Sequence, residues 1–133
     1  MTERMIYSYG GTEFELDISL IKESEEEAVK QLREYFRRNR RDFKLELETS
    51  EGFTGEVINE ILAIPYGKTK SYTEIASNIG TAPIAVGQAC GRNPLPVIVP
   101  CHRLTGKNNL GGYKYSKEAK RSLLSLEKDF GDV

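Results

Sequence analysis

Val97-Ile98-Val99 is an apolar run held between Pro96 and Pro100. Proline can neither continue a helix nor donate to a sheet ladder, so such a run reads as a short buried segment closed at both ends. Cys101 emerges from it beside His102, the only histidine in the chain. A thiol next to a base suits nucleophilic catalysis, because the thiolate is the reactive species. Adjacent residues of an extended chain point to opposite faces. Contact between Cys101 and His102 therefore requires a helical turn here, or a bridging water. Taken alone, the dipeptide favours a blander reading, a buried structural cysteine beside a surface histidine.

Composition narrows what this segment belongs to. At 133 residues, 38% hydrophobic and 29% charged, the chain has room for one domain, or one domain with a small appendage. Mean hydropathy is -0.48, and no apolar run approaches the roughly 18 residues of a membrane span. The start, Met1-Thr2-Glu3-Arg4-Met5, lacks the apolar stretch of a signal peptide. Cys90 and Cys101 are too few for a disulfide framework, and one histidine leaves no obvious zinc ligand set. A membrane protein, a disulfide mini-protein and a zinc module are excluded; a cytoplasmic location, with no membrane partner, is expected. Net charge is -1, but residues 81–126 hold seven basic side chains against the single acid Glu118. A basic stretch on an acidic body hints at a polyanion partner, with ordinary solvated charge as the alternative.

The spacing predicts an α+β chain with a small α/β unit over residues 1–50 and a mainly helical domain over 51–133. Glu13 to Ile18 alternates polar and apolar, as a half-buried strand does, and Arg4 to Tyr7 supplies the partner arm of a hairpin. Ser24-Glu25-Glu26-Glu27 reads as a capping box opening a helix with the apolar stripe Ala28, Leu32, Tyr35 and Phe36. Arg37, Arg38, Arg40 and Arg41 would close that helix with the favourable dipole sign. Phe43, Leu45 and Leu47 alternate as a further strand, and Thr49-Ser50-Glu51-Gly52 reads as a linker. Val57, Ile58, Ile61 and Leu62 form a helix face ended by Pro65. Ser71 to Glu74 is a second capping box, for a helix through about Ile79 ended by Gly80; Thr81 would cap the next, from about Ala82 to Cys90. Two short helices across a tight glycine-containing turn are the helix-turn-helix pattern. Ala85, Gly87 and Ala89 on the second helix allow close approach to a groove, or to another helix.

The stretch Asn93-Pro94-Leu95-Pro96-Val97-Ile98-Val99-Pro100-Cys101-His102-Arg103 resembles the active-site signature of the O6-alkylguanine-DNA alkyltransferases. Tyr66 to Tyr72, Ala85 to Ala89, Leu110 to Tyr113 and Leu123 to Glu127 extend the resemblance from about Phe53 to Glu127. It implies a shortened ribonuclease-like N-terminal unit and a DNA repair methyltransferase. Such a protein binds the minor groove of duplex DNA through the helix-turn-helix and flips O6-alkylguanine into a pocket, with O4-alkylthymine left open as a second substrate. It also implies a monomer that needs no cofactor and acts once, because the alkyl group stays on Cys101 as a thioether. His102 would deprotonate Cys101 through a water, lowering the thiol's pKa, and Glu127 would orient His102. Asn93 would hold the turn before the active-site segment. Tyr72 would lend its hydroxyl proton to the leaving guanine. Backbone groups around Cys101, Leu104 and Lys114 would read the base edge, and Tyr113 would wall the pocket. Ser71, Tyr72, Thr73, Ile84, Ala85, Gly87 and Arg92 would meet the DNA. Ile84 departs from the family's arginine at that position, and the family's N-terminal metal ligands have no counterpart. A non-repairing sensor of alkylated DNA and a helix-turn-helix regulator with a reactive cysteine are the competing readings.

Overall fold

The computed structural model describes residues 3–48 and 51–131; Met1 and Thr2 at the start, and Thr49 and Ser50 of the expected linker, lie outside the described residues. Strand β1 (Arg4–Tyr9) pairs antiparallel with β2 (Thr12–Asp17) across a Gly10-Gly11 turn. The alternation in β2 buries Phe14 and Leu16. Helix α1 (Glu25–Phe36) starts where the Ser24 hydroxyl accepts from the Glu27 N–H at 3.1 Å. The Glu27 carboxylate does not complete the box; it accepts from Gln31 instead. Ala28, Leu32, Tyr35 and Phe36 are all buried.

Two expectations for this unit need correction. The arginine run lies beyond α1 rather than in its last turn: Arg37 is the C-cap, and Arg38 has left-handed backbone (φ 63). The chain folds back there, and Arg40 pairs with Glu34 at 2.9 Å. Residues 43–48 are extended but form no strand. Phe43, Leu45 and Leu47 are half-buried between exposed neighbours, yet pairing reduces to one bridge between Ile21 and Leu47. The reason is the Gln31 side chain. Its amide accepts from Lys44 N–H and donates to Lys44 C=O, taking the place of a neighbouring strand.

Helix α2 (Gly52–Leu62) buries Val57 and Ile61. A short parallel pair, β3 (Lys70–Ser71) and β4 (Leu104–Thr105), ties the start of the next helix to the chain just after Cys101. Helix α3 (Tyr72–Ile79) opens on a complete capping box between Ser71 and Glu74 and ends at Gly80. Gly80 is left-handed (φ 73), where a side chain is strained. Helix α4 (Pro83–Gly91) follows after three residues, giving the expected helix-turn-helix. Its N-cap is Ala82 rather than Thr81, with no side-chain bond; Pro83 in the first turn supplies a preset φ and lacks an N–H that would need a cap. Helix α5 (Lys117–Gly131) completes a mixed α+β fold. Phe14, Leu32 and Tyr35 from the first part and Val57, Ile75, Val99 and Leu123 from the second share one continuous core. Among the described residues no helix is long and apolar enough to cross a membrane.

Candidate active site

The chain from Asn93 to Cys101 is held by one buried side chain. Asn93 Oδ1 accepts from Leu95 N–H at 2.9 Å, and Nδ2 donates to Val99 C=O at 3.0 Å and to Cys101 Sγ at 3.1 Å. Val97, fully enclosed in this segment, has a φ of 73. A β-branched residue in left-handed backbone costs on the order of 1–3 kcal/mol and persists only where the surroundings enforce it. The strain sits four residues before the thiol.

Cys101–Arg103 form one 3₁₀ turn, the helical turn that bringing Cys101 to its neighbour required. It sends the two side chains to different partners. Cys101 Sγ meets Asn93, while the His102 ring meets Glu127, with Nε2 and Oε2 2.7 Å apart. Among the described residues no hydrogen bond joins Cys101 to His102. Glu127 is wholly buried, so it is not a solvated helix acid. It also accepts from Tyr35 Oη at 2.6 Å, from Arg103 Nε and Nη2 at 2.9 and 3.0 Å, and from Gly67 N–H at 3.3 Å.

These contacts set the protonation states. Burial pushes the Glu127 carboxyl up, but His102 and Arg103 outweigh it and hold the group at about 2. Burial lowers the His102 pKa, against the pull of Glu127. The imidazole is therefore neutral near pH 7, beside an ionised acceptor. Nε2 carries the proton, which leaves Nδ1 as the basic nitrogen. Nδ1 is buried and has no hydrogen-bond partner. The Cys101 thiol, in contrast, is raised by burial, only partly offset by Asn93 and by the charges of Lys120 and Lys114. The expected lowering of its pKa is not found, because the cost of burying a thiolate outweighs the Asn93 hydrogen bond and the nearby positive charges.

Cys101 opens onto a cavity of about 560 Å³, shared with Tyr72, Ile84, Gly87, Tyr113 and Lys114. Burial pushes the Tyr72 hydroxyl to about 12, so it keeps its proton at neutral pH. It donates to Gly112 C=O at 3.3 Å and receives from Lys120 Nζ at 3.5 Å. Lys120 is itself buried and donates to Leu104 C=O and Gly112 C=O. Gly111 is required beside them: its φ is 77, and a Cβ there would lie 2.9 Å from the Tyr72 ring.

The structure gives two side-chain pairs, Cys101 with Asn93 and His102 with Glu127, adjacent along the chain at Cys101–His102, and brings Tyr72, Tyr113 and Lys114 to the cavity onto which Cys101 opens. Leu104 is buried in β4, outside the cavity lining, with its carbonyl occupied by Lys120. On the helix-turn-helix, Ser71 is half-buried and Thr73 exposed. Ile84 is 72% exposed, Ala85 is half-buried, and Gly87 and Arg92 are exposed. The small residues of α4 divide between two uses. Ala89 is buried in helix packing, whereas a Cβ at Gly87 would meet nothing within 4 Å.

Sequence reading missed Tyr35, Gly67, Arg103, Lys120 and Cys90, which also lines the cavity. A signal for Lys120 existed: Ala119, Lys120, Leu123, Leu126 and Glu127 follow the 3–4 spacing of a buried helix stripe. No three His, Cys, Asp or Glu side chains cluster as a metal site among the described residues.

Residues 52–129 match the family described as 6-O-methylguanine DNA methyltransferase, DNA binding domain. A methylated-DNA–protein-cysteine methyltransferase of Archaeoglobus fulgidus is 43% identical over an alignment of 111 positions that covers 78% of this chain and 76% of that protein. A probable methylated-DNA–protein-cysteine methyltransferase of Acanthamoeba polyphaga mimivirus is 53% identical over 78 residues; the match spans 57% of this chain and 52% of the viral protein. The crystal structure of Mycobacterium tuberculosis O6-methylguanine methyltransferase superposes with a TM-score of 0.81 at 34% identity, covering 97% of this chain and 94% of that one. A structure of Mycobacterium tuberculosis OGT in complex with DNA gives 0.74 at 46% identity, over 77% and 65%.

Proposed function

The chain belongs to the 6-O-methylguanine DNA methyltransferase family, and from that premise we propose that it repairs DNA by moving an alkyl group from O6 of guanine onto its own Cys101. The observation that carries this reading is the buried cluster in which Asn93 touches Sγ and a neutral His102 is oriented by Glu127, at the edge of a cavity. A damaged base pair costs less to open, and the alkyl carbon is out of reach within the stack, so the base must be turned out into that cavity. Exposed Thr73, Gly87 and Arg92, with the half-buried Ser71 and Ala85, would lie along the minor groove of the duplex.

In the transfer, the bond between O6 and the alkyl carbon breaks as the carbon–sulfur bond forms. The thiol proton passes to Nδ1 of His102 through a water, and the Glu127 carboxylate stabilises the imidazolium. Because burial raises the Cys101 pKa, the proton leaves as the new bond forms rather than beforehand. Tyr72 gives its proton to the departing guanine and is a good donor only once negative charge has built up there. The thioether has no route back, so each molecule acts once. The same reading takes the protein as a cytoplasmic monomer, needing no cofactor, with a small unit up to residue 50 and a DNA-binding domain beyond it. Cys101→Ala should bind duplex DNA and accept no alkyl group, whereas Cys90→Ala should transfer at the unaltered rate. Loss of transfer in Cys90→Ala with transfer kept in Cys101→Ala would reverse the assignment.

Ile84 would fill the gap left in the stack as an apolar wedge. Unlike arginine, it cannot bond the orphaned base, a deficit of about 1.5–3 kcal/mol. Ile84→Arg should therefore speed repair in duplex DNA by about ten- to a hundredfold and leave the rate with the free base O6-benzylguanine unchanged. Equal effects on both substrates would place position 84 in the chemistry instead.

A further inference from the structure

We propose that Tyr35, carried by α1, is a positioning residue that sets the basicity of His102 through the carboxylate oxygen they share. The proposal rests on the reading that His102 takes the Cys101 proton. Tyr35 is fully buried, and its hydroxyl donates to Glu127 Oε2 at 2.6 Å. The same oxygen lies 2.7 Å from His102 Nε2. A buried tyrosine usually finds some acceptor, but this one takes the acceptor that orients the base. Each donor on Oε2 draws negative charge away from the Nε2 proton, and Nδ1 becomes a weaker base.

The other groups facing this pair leave a distinct place for Tyr35. Arg103, in the turn beside His102, binds both oxygens of Glu127 and lies over the Tyr66 ring. Gly67 N–H reaches the other oxygen, Oε1. Burial, and then the charges of Arg103 and of Lys120 on α5, disfavour a positive charge on His102, and Glu127 favours it. Among the groups bonded to Glu127 in the described residues, Tyr35 is the one supplied by the N-terminal unit, 92 residues away in sequence. Because a tyrosine so buried has its pKa well above the ordinary value, it remains a donor throughout the working pH range. The N-terminal unit thereby reaches the chemistry through a single hydroxyl.

His102 is the only histidine, so its imidazole nitrogens give one unambiguous NMR titration. In the full chain without DNA, Tyr35→Phe should raise the His102 midpoint by about half to one pH unit. The acid limb of the pH–rate profile with free O6-benzylguanine should move by the same amount. A purely structural role would lower the melting temperature and leave both midpoints in place, and an unmoved or lowered midpoint overturns the proposal. Should Tyr35→Phe not fold, the unaltered protein decides: a slowly exchanging Tyr35 hydroxyl proton with a cross-peak to the His102 Nε2 proton supports the proposal, and its absence overturns it. The titration needs no alkyl donor, so it separates failure of this proposal from failure of alkyl transfer itself.

Discussion

Glu127→Gln should slow alkyl transfer to Cys101 by about 10²–10⁴-fold at pH 7, the range for loss of a working general base. The replacement keeps the shape of the side chain and removes its charge. In the native site the carboxylate takes donors from His102, Arg103, Tyr35 and Gly67. A glutamine can offer only its carbonyl oxygen, and its amide would face other donors. His102 would lose the charge that fixes its tautomer and stabilises its protonated form. The buried Arg103 guanidinium would lose its counter-charge, which costs about 3–5 kcal/mol of stability when one partner of a buried pair is removed. Rates should therefore be compared well below the melting temperature of the variant, with free O6-benzylguanine so that DNA binding does not enter. A rate equal to that of the unaltered protein would remove Glu127 from the relay.

Acid should unfold this protein early, in two stages. The His102 pKa is lowered by burial from its ordinary 6.5. The unfolded chain therefore binds a proton that the fold refuses, and stability starts to fall as pH drops below about 6.5. Glu127 has a folded pKa of about 2 against an ordinary 4.5. Its contribution is present above 4.5 and is lost as pH falls from 4.5 towards 2. That difference is worth about 3 kcal/mol at 1.36 kcal/mol per pH unit. Denaturant midpoints measured at about pH 7.5, 5.5 and 3.5 should fall at both steps. Glu127→Gln should flatten the second step and keep the first. A stability independent of pH down to about 4 would mean that neither group is held as described.

The elements that carry their own stop and start signals were legible in the sequence. Ser71 and Glu74 close a complete capping box, Gly80 ends α3 in left-handed backbone, and the helix-turn-helix follows. The proline-bracketed run placed Cys101 at the end of a buried segment, as found. What failed depended on partners distant in sequence. Residues 43–48 alternate like a strand, but a glutamine on α1 occupies the backbone groups at Lys44. Lys120 is one of the basic residues of the 81–126 stretch, yet it is buried against Leu104 and Gly112. Glu127 could be assigned to His102 only through the family resemblance. Its burial follows from the helix stripe it shares with Leu123, a pattern that its charge obscured. Tyr35 looked like one more apolar residue of α1, because no local pattern shows where a buried hydroxyl ends.

Alkyl transfer to Cys101 is read most directly from the intact mass of the protein after incubation with an excess of duplex carrying one O6-methylguanine. The protein should gain a single methyl group, peptide mapping should put it on Cys101, and repaired DNA should stop accumulating when it equals the protein in amount. Methyl on Cys90, no gain in mass, or more than one repaired duplex per protein molecule would contradict irreversible transfer to Cys101.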